Sequence, residues 1–86
     1  MPRLSAFYGI VIYMYIRDHG MPHVHAHCAG ERAVVDVATG APLAGDLRPR
    51  QARLVREWVA QHRDELYAAW QRASAGESPG TIEPLP

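Results

Sequence analysis

From Pro49 to about Ala73 the apolar residues recur at intervals of three and four: Val55, Trp58, Val59, Leu66, Ala69, Trp70 and Ala73, with His62 on the same stripe. That spacing draws one continuous face of an α-helix. Most of the stability of such a helix comes from laying its stripe on a second layer, so the residues upstream have to supply that layer. Pro49 suits the first helical turn, and Ala75, Gly76 and Pro79 supply the stop. With 86 residues there is room for one core and therefore one domain.

Upstream the period falls to two. Tyr8 to Ile16 alternates Tyr8, Ile10, Ile12, Met14 and Ile16 with Val11, Tyr13 and Tyr15, which predicts a central strand covered at least partly on both faces. Arg17 to Pro22 then reads as a turn, because Gly20 permits unusual dihedrals and Pro22 pushes Met21 towards an extended conformation. A second strand, His23 to Cys28, places His23, His25 and His27 on one face and Val24, Ala26 and Cys28 on the other.

Ala29 and Gly30 form a two-residue hairpin loop before a third strand from Glu31 to Val37. If Cys28 faces Glu31, the register pairs Val24 with Val35, Ala26 with Ala33, His25 with Val34, His27 with Arg32 and His23 with Asp36. Thr39 and Gly40 mark another turn, and Pro42 to Ala44 a short edge strand. The expected fold is α+β: a three- to four-stranded, mainly antiparallel sheet over about residues 7–45, then one long C-terminal helix over about 49–74 packed on it. The helix should bury Val55, Trp58, Val59, Leu66 and Trp70 against Ile10, Ile12, Val24 and Val35. The tail, 77–86, is either docked through Ile82 and Leu85 or flexible.

Composition narrows the function classes. With 48% apolar and 21% charged residues, a folded globular chain is expected. The Phe7 to Ile16 run ends at Arg17 and Asp18, well short of the roughly 18 uncharged residues a membrane span needs. No export signal is recognisable and Cys28 has no partner for a disulfide, so a cytoplasmic location is expected. A net formal charge of zero gives no overall case for nucleic-acid binding, which must rest on a local patch.

All but one of the five histidines lie between His19 and His27. Side chains two apart on a strand share a face with Cβ atoms roughly 6 to 7 Å apart, so His23 and His25 can converge on one metal ion, with zinc the cofactor implied. His19, leading in from the turn, is the further ligand candidate; Asp36, opposite His23, is a third ligand or an acceptor that fixes a histidine tautomer. Metal-free acid–base or phosphate chemistry by His19, His23, His25 and Asp36 fits the same cluster. So does a plain solvated or hydrogen-bonded strand face.

Arg48, Arg50, Arg53 and Arg56 form a basic run at the start of the helix, where positive charge opposes the macrodipole. Phosphate or an acidic partner would favour it there, as would ordinary solvation beside Asp46 and Glu57. Trp58 and Trp70 read as core, and Cys28 faces it. His-Val-His-Ala-His-Cys-Ala also resembles the histidine-triad signature of nucleotide hydrolases, which would implicate His25 or His27. That signature, however, comes late in longer chains, whereas here it precedes the helix.

A wider set of residues matches something more specific. Phe7-Tyr8-Gly9-Ile10-Val11-Ile12, Asp18-His19-x-x-Pro22-His23-x-His25-Ala26, Gly45-x-Leu47, Glu57-Trp58, Glu65-Leu66-x-x-x-Trp70 and Ile82-x-Pro84-Leu85 together resemble the bacterial domain of unknown function 4160 family. The resemblance implies a small stand-alone bacterial protein from a family without an assigned activity, some of whose members are described as toxin–antitoxin components. Its motif falls on His19, Pro22, His23 and His25, whereas His27, Cys28 and Met21 depart from it.

Three functional expectations follow. The first is a toxin-type protein acting on RNA or translation through the histidines and the arginine run, with a cognate small antitoxin-like partner. The second is a zinc-binding module. The third is a non-enzymatic protein-binding domain, and a homodimer is compatible with each.

Overall fold

Tyr8-Gly9 and Ala29-Gly30 both adopt left-handed backbone conformations, with φ of 50° and 78° in the first pair and 50° and 83° in the second. Successive positive φ angles are what a two-residue type I′ turn demands, and that turn suits the twist of antiparallel strands. In a computed structural model, which describes residues 2–86, these turns fold the N-terminal half into a meander. Its strands are β1 (Arg3–Phe7), β2 (Ile10–Tyr13), β3 (His23–Cys28), β4 (Glu31–Asp36) and β5 (Pro42–Gly45), antiparallel and in sequence order across one sheet.

The β3–β4 register is the expected one, from His23 opposite Asp36 to Cys28 opposite Glu31. The first strand differs from expectation. Tyr8 to Ile16 is not one strand: Tyr8-Gly9 is a turn, Phe7 pairs with Ile10, and Arg3–Phe7 forms an additional edge strand, giving five rather than three or four. Ile10, Ile12 and Met14 all point into the core, so the alternation runs unbroken past the point where the chain reverses.

The single long helix is likewise two, α1 (Pro49–Gln61) and α2 (Arg63–Ser74). They meet at His62, whose φ of −123° and ψ of 23° leave the helical basin. The break is invisible to periodicity because both segments present their stripes to the same core: Val55, Trp58 and Val59 from α1, Leu66, Ala69 and Ala73 from α2. Asp64 and Glu65 in the first turn of α2, with Arg72 in its last, complement a second helix dipole.

The helices cover the face of the sheet that carries Ile10, Ile12, Val24, Ala26 and Val35. Trp70 is only half-buried, which corrects its assignment to the core interior. The tail is docked: the Ile82 N–H donates to the Leu4 carbonyl, and Pro79, Ile82 and Leu85 are buried. The opposite face of the sheet bears the histidines, and Trp70 of α2 reaches round to pack against His23 there. Among the described residues no helix is long and apolar enough to cross a membrane.

Candidate metal centre

After β2 the chain turns through Arg17, whose φ of 62° is left-handed and whose N–H donates to the carbonyl of Ala73 at the end of α2. A strained conformation held by a tertiary bond fixes where the next side chain goes. That side chain is Asp18. Its carboxylate lies beside the first two histidines of β3, with Oδ2 2.8 Å from His23 Nε2 and 3.4 Å from His25 Nε2. The three donor atoms lie within 4.8 Å of one another.

Aromatic neighbours set the rings in place. Tyr15 stacks on His25 at 4.1 Å, Trp70 lies 4.9 Å from His23, and the two imidazoles meet nearly edge-on at 5.2 Å. The half-buried Trp70 is thus a wall of this site.

His23 contacts an acceptor at each nitrogen. Its Nδ1 is 2.8 Å from the Met21 carbonyl oxygen, which can only accept, so Nδ1 carries the hydrogen and donates. With Nδ1 so committed, Nε2 can donate to the Asp18 carboxylate only in the protonated ring, whereas in the neutral ring its lone pair would face that carboxylate. The contact at 2.8 Å therefore calls for a positive charge between ring and carboxylate, supplied by a proton on Nε2 or by a bound cation.

Burial works against ionisation of Asp18. Hydrogen bonds from the His19 N–H and the His23 and His25 rings outweigh it, aided by the charge of His23, and hold the carboxyl below its ordinary 3.8. Burial is the largest influence on His25; together with the charges of His23 and His27 it outweighs Asp18 and keeps that ring below its ordinary 6.5. At neutral pH the site therefore combines an ionised carboxylate with a neutral His25.

The other predicted site residues lie elsewhere. His19 is exposed, and its contribution is the backbone N–H, 2.9 Å from Asp18 Oδ1. Asp36 does stand opposite His23 in the register, yet its carboxylate accepts from the Ala38 N–H at 3.0 Å and the Thr39 hydroxyl at 3.4 Å. An aspartate followed by a turn is captured by the turn's own donors.

Arg48, Arg50, Arg53 and Arg56 are exposed at and along α1, Arg48 lying 3.6 Å from Glu31. Among the described residues none of the four makes a hydrogen bond or ion pair with the histidine cluster, whose charged partner is Asp18. His62 sits at the helix junction, bonded to Glu65 at 2.7 Å and packed on Trp58.

Asp18 is the ligand candidate that pattern reasoning passed over. Its trace in the sequence is the spacing Asp18-x-x-x-x-His23-x-His25, with Gly20 and Pro22 to turn the chain back. This same segment falls within the stretch, residues 9–71, that matches the family described as Domain of unknown function (DUF4160). The chain belongs to the DUF4160 family. No curated protein and no solved structure matches it. Within the DUF4160 match lie all of β2 to β5, α1, Asp18, His23, His25 and Trp70, so the candidate centre is contained in the family's own region.

Proposed function

We propose that this DUF4160 protein binds one divalent transition-metal ion of the zinc class through Asp18 Oδ2, His23 Nε2 and His25 Nε2. The observation that carries the proposal is the gathering of these three donors within 4.8 Å of one another, with His23 Nδ1 held by the Met21 carbonyl so that Nε2 is the nitrogen turned to the carboxylate. Protons on the two Nε2 atoms would let each ring donate to Asp18 separately, at 2.8 and 3.4 Å. A metal ion satisfies both imidazoles and the carboxylate together.

The dimensions suit it. Tetrahedral donors about 2.0 to 2.1 Å from zinc lie roughly 3.3 Å apart; the two nitrogen–oxygen separations, 2.8 and 3.4 Å, bracket that value, and the two imidazole nitrogens, within 4.8 Å of each other, would draw together on the ion. Met21 would serve the ion indirectly, its carbonyl fixing the tautomer of His23. Three protein ligands are one fewer than a closed structural site uses, and leave a position for water or an anionic ligand, as hydrolytic zinc sites do. The reading thus favours chemistry at the ion over a purely structural role.

The test is titration of the chelator-treated protein with zinc and with cobalt, whose visible spectrum reports coordination. One ion per chain is expected, with a spectrum of nitrogen and oxygen ligation that is lost in the His23→Gln, His25→Gln double variant. Absence of stoichiometric binding, or binding that the double variant retains, would rule out this centre.

A further inference from the structure

On the face that bears the histidines, His27 of β3 and Arg32 of β4 stand directly opposite each other. With Tyr15, His25, Val34 and Ala44 they line an open concavity of about 250 Å³. The His27 ring packs on Tyr13 at 4.8 Å, but neither it nor the Arg32 guanidinium has a side-chain hydrogen bond or ion pair among the described residues. The acidic neighbour in sequence, Glu31, is turned to Arg48 instead, and Asp18 is engaged by His23 and His25.

Two donors therefore share one wall of a cleft with no protein acceptor between them. The backbone of Arg32 is fixed by β5. The Asp46 N–H donates to its carbonyl at 3.0 Å, and Gly45, at φ 69°, passes so close that a Cβ there would collide with that carbonyl oxygen.

We infer that His27 and Arg32 form a binding site for the phosphate group of a small ligand. An arginine fork takes two oxygens of an oxyanion, and the imidazole N–H takes a third; a carboxylate has no third oxygen to offer. Tyr15, Val34 and Ala44 supply the apolar part of its wall. The concavity is smaller than the roughly 300 to 1,000 Å³ of pockets that enclose a drug-sized molecule, so it holds an anionic head while the remainder of the ligand projects outward.

His25 lines the same concavity. If His25 is a metal ligand, it would join the proposed metal centre to this anion site. This juxtaposition rests on the proposed metal centre, whereas phosphate binding itself does not.

The experiment uses the full chain, chelator-treated, and follows the ring resonances of the histidines by NMR during titration with inorganic phosphate at fixed pH and ionic strength. The His27 signal, assigned from the His27→Gln variant, should shift saturably. Arg32→Gln should weaken phosphate by about tenfold or more, Arg32→Lys by less because it keeps the charge but not the fork, and Arg50→Gln not at all.

A drift that never saturates, or equal weakening by Arg32→Gln and Arg50→Gln, would mean an adventitious ion only and overturn the inference. Should Arg32→Gln fail to fold, Arg32→Lys decides, since phosphate affinity equal to that of the parent removes the fork from the site. Zinc titration of phosphate-free aliquots of the same chelator-treated preparations separates the two proposals. Saturable phosphate binding in a chain that takes up no zinc would sink the metal centre and leave the anion site standing.

Discussion

His23 has an acceptor on each side of its ring, and this fixes what Asp18 is worth to the site. Replacing Asp18 with Asn removes the charge that balances the ion while keeping the shape, so zinc affinity should fall by more than the roughly 10- to 100-fold typical of losing an outer supporting group. His19→Gln, by contrast, leaves the His19 backbone donor intact and should hold affinity within about threefold. A competition assay against a chelating dye measures both, and equal effects would mean that Asp18 is not a ligand.

In the metal-free protein the depressed His25 sets a pH dependence. The unfolded chain binds a proton near the ordinary value of 6.5 that the folded chain refuses until lower pH, so stability is full above that value and declines as pH falls below it. Asp18 contributes stability that is present above 3.8 and is lost only as pH drops through its lowered value. Urea midpoints between pH 8 and pH 5 should therefore fall, and fall less in His25→Gln. At this scale the sequence exposed His23 and His25 through strand alternation, but it hid Asp18. The position of Asp18 depends on the left-handed turn at Arg17 and its bond to Ala73, a contact that no local pattern encodes.

At the level of elements, legibility followed periodicity and stopped where periodicity continues across a break. The Ala29-Gly30 loop and the whole β3–β4 register were readable, because a two-residue turn and a one-sided apolar pattern leave a single pairing. Tyr8-Gly9 carries the same kind of turn, but the Ile10, Ile12 and Met14 that follow keep the phase of the run, so the hairpin read as one strand. His62 divides the helix for a parallel reason, its flanking stripes meeting one core. Two substitutions test the elements as now placed. Gly45→Ala should destabilise by about 1 to 3 kcal/mol, because it adds a side chain at positive φ against the Arg32 carbonyl. Trp58→Ala should cost about 3 to 5 kcal/mol, since that ring is fully buried, packs on Phe7 and donates to the Glu83 carbonyl. Chemical denaturation reads both, and a midpoint within error of the parent would mean the element is misplaced.

The molecule as a whole depends on how its sheet is closed along β1. That strand pairs only with β2, and an unpaired edge is a template for association between chains. The tail runs alongside it: the Ile82 N–H bonds to Leu4, Glu83 accepts from Trp58 at 2.8 Å, and Tyr8 donates to the Pro86 carbonyl at 2.6 Å. Burying Ile82 and Leu85 contributes roughly 1.5 to 3 kcal/mol each before the cost of ordering the segment, and the Trp58 N–H would lose its acceptor without it. Removing residues 79–86 should therefore lower the denaturation midpoint and also expose β1, with concentration-dependent self-association as the second consequence. Tyr8→Phe, which removes one exposed tail bond and nothing else, should cost less than about 1 kcal/mol and leave the oligomeric state of the parent unchanged. Light scattering and urea melts across a range of concentrations distinguish the outcomes. A truncated chain that melts like the parent and matches its light scattering would show that the sheet is closed without the tail, and the core would then have to be redrawn without Ile82 and Leu85.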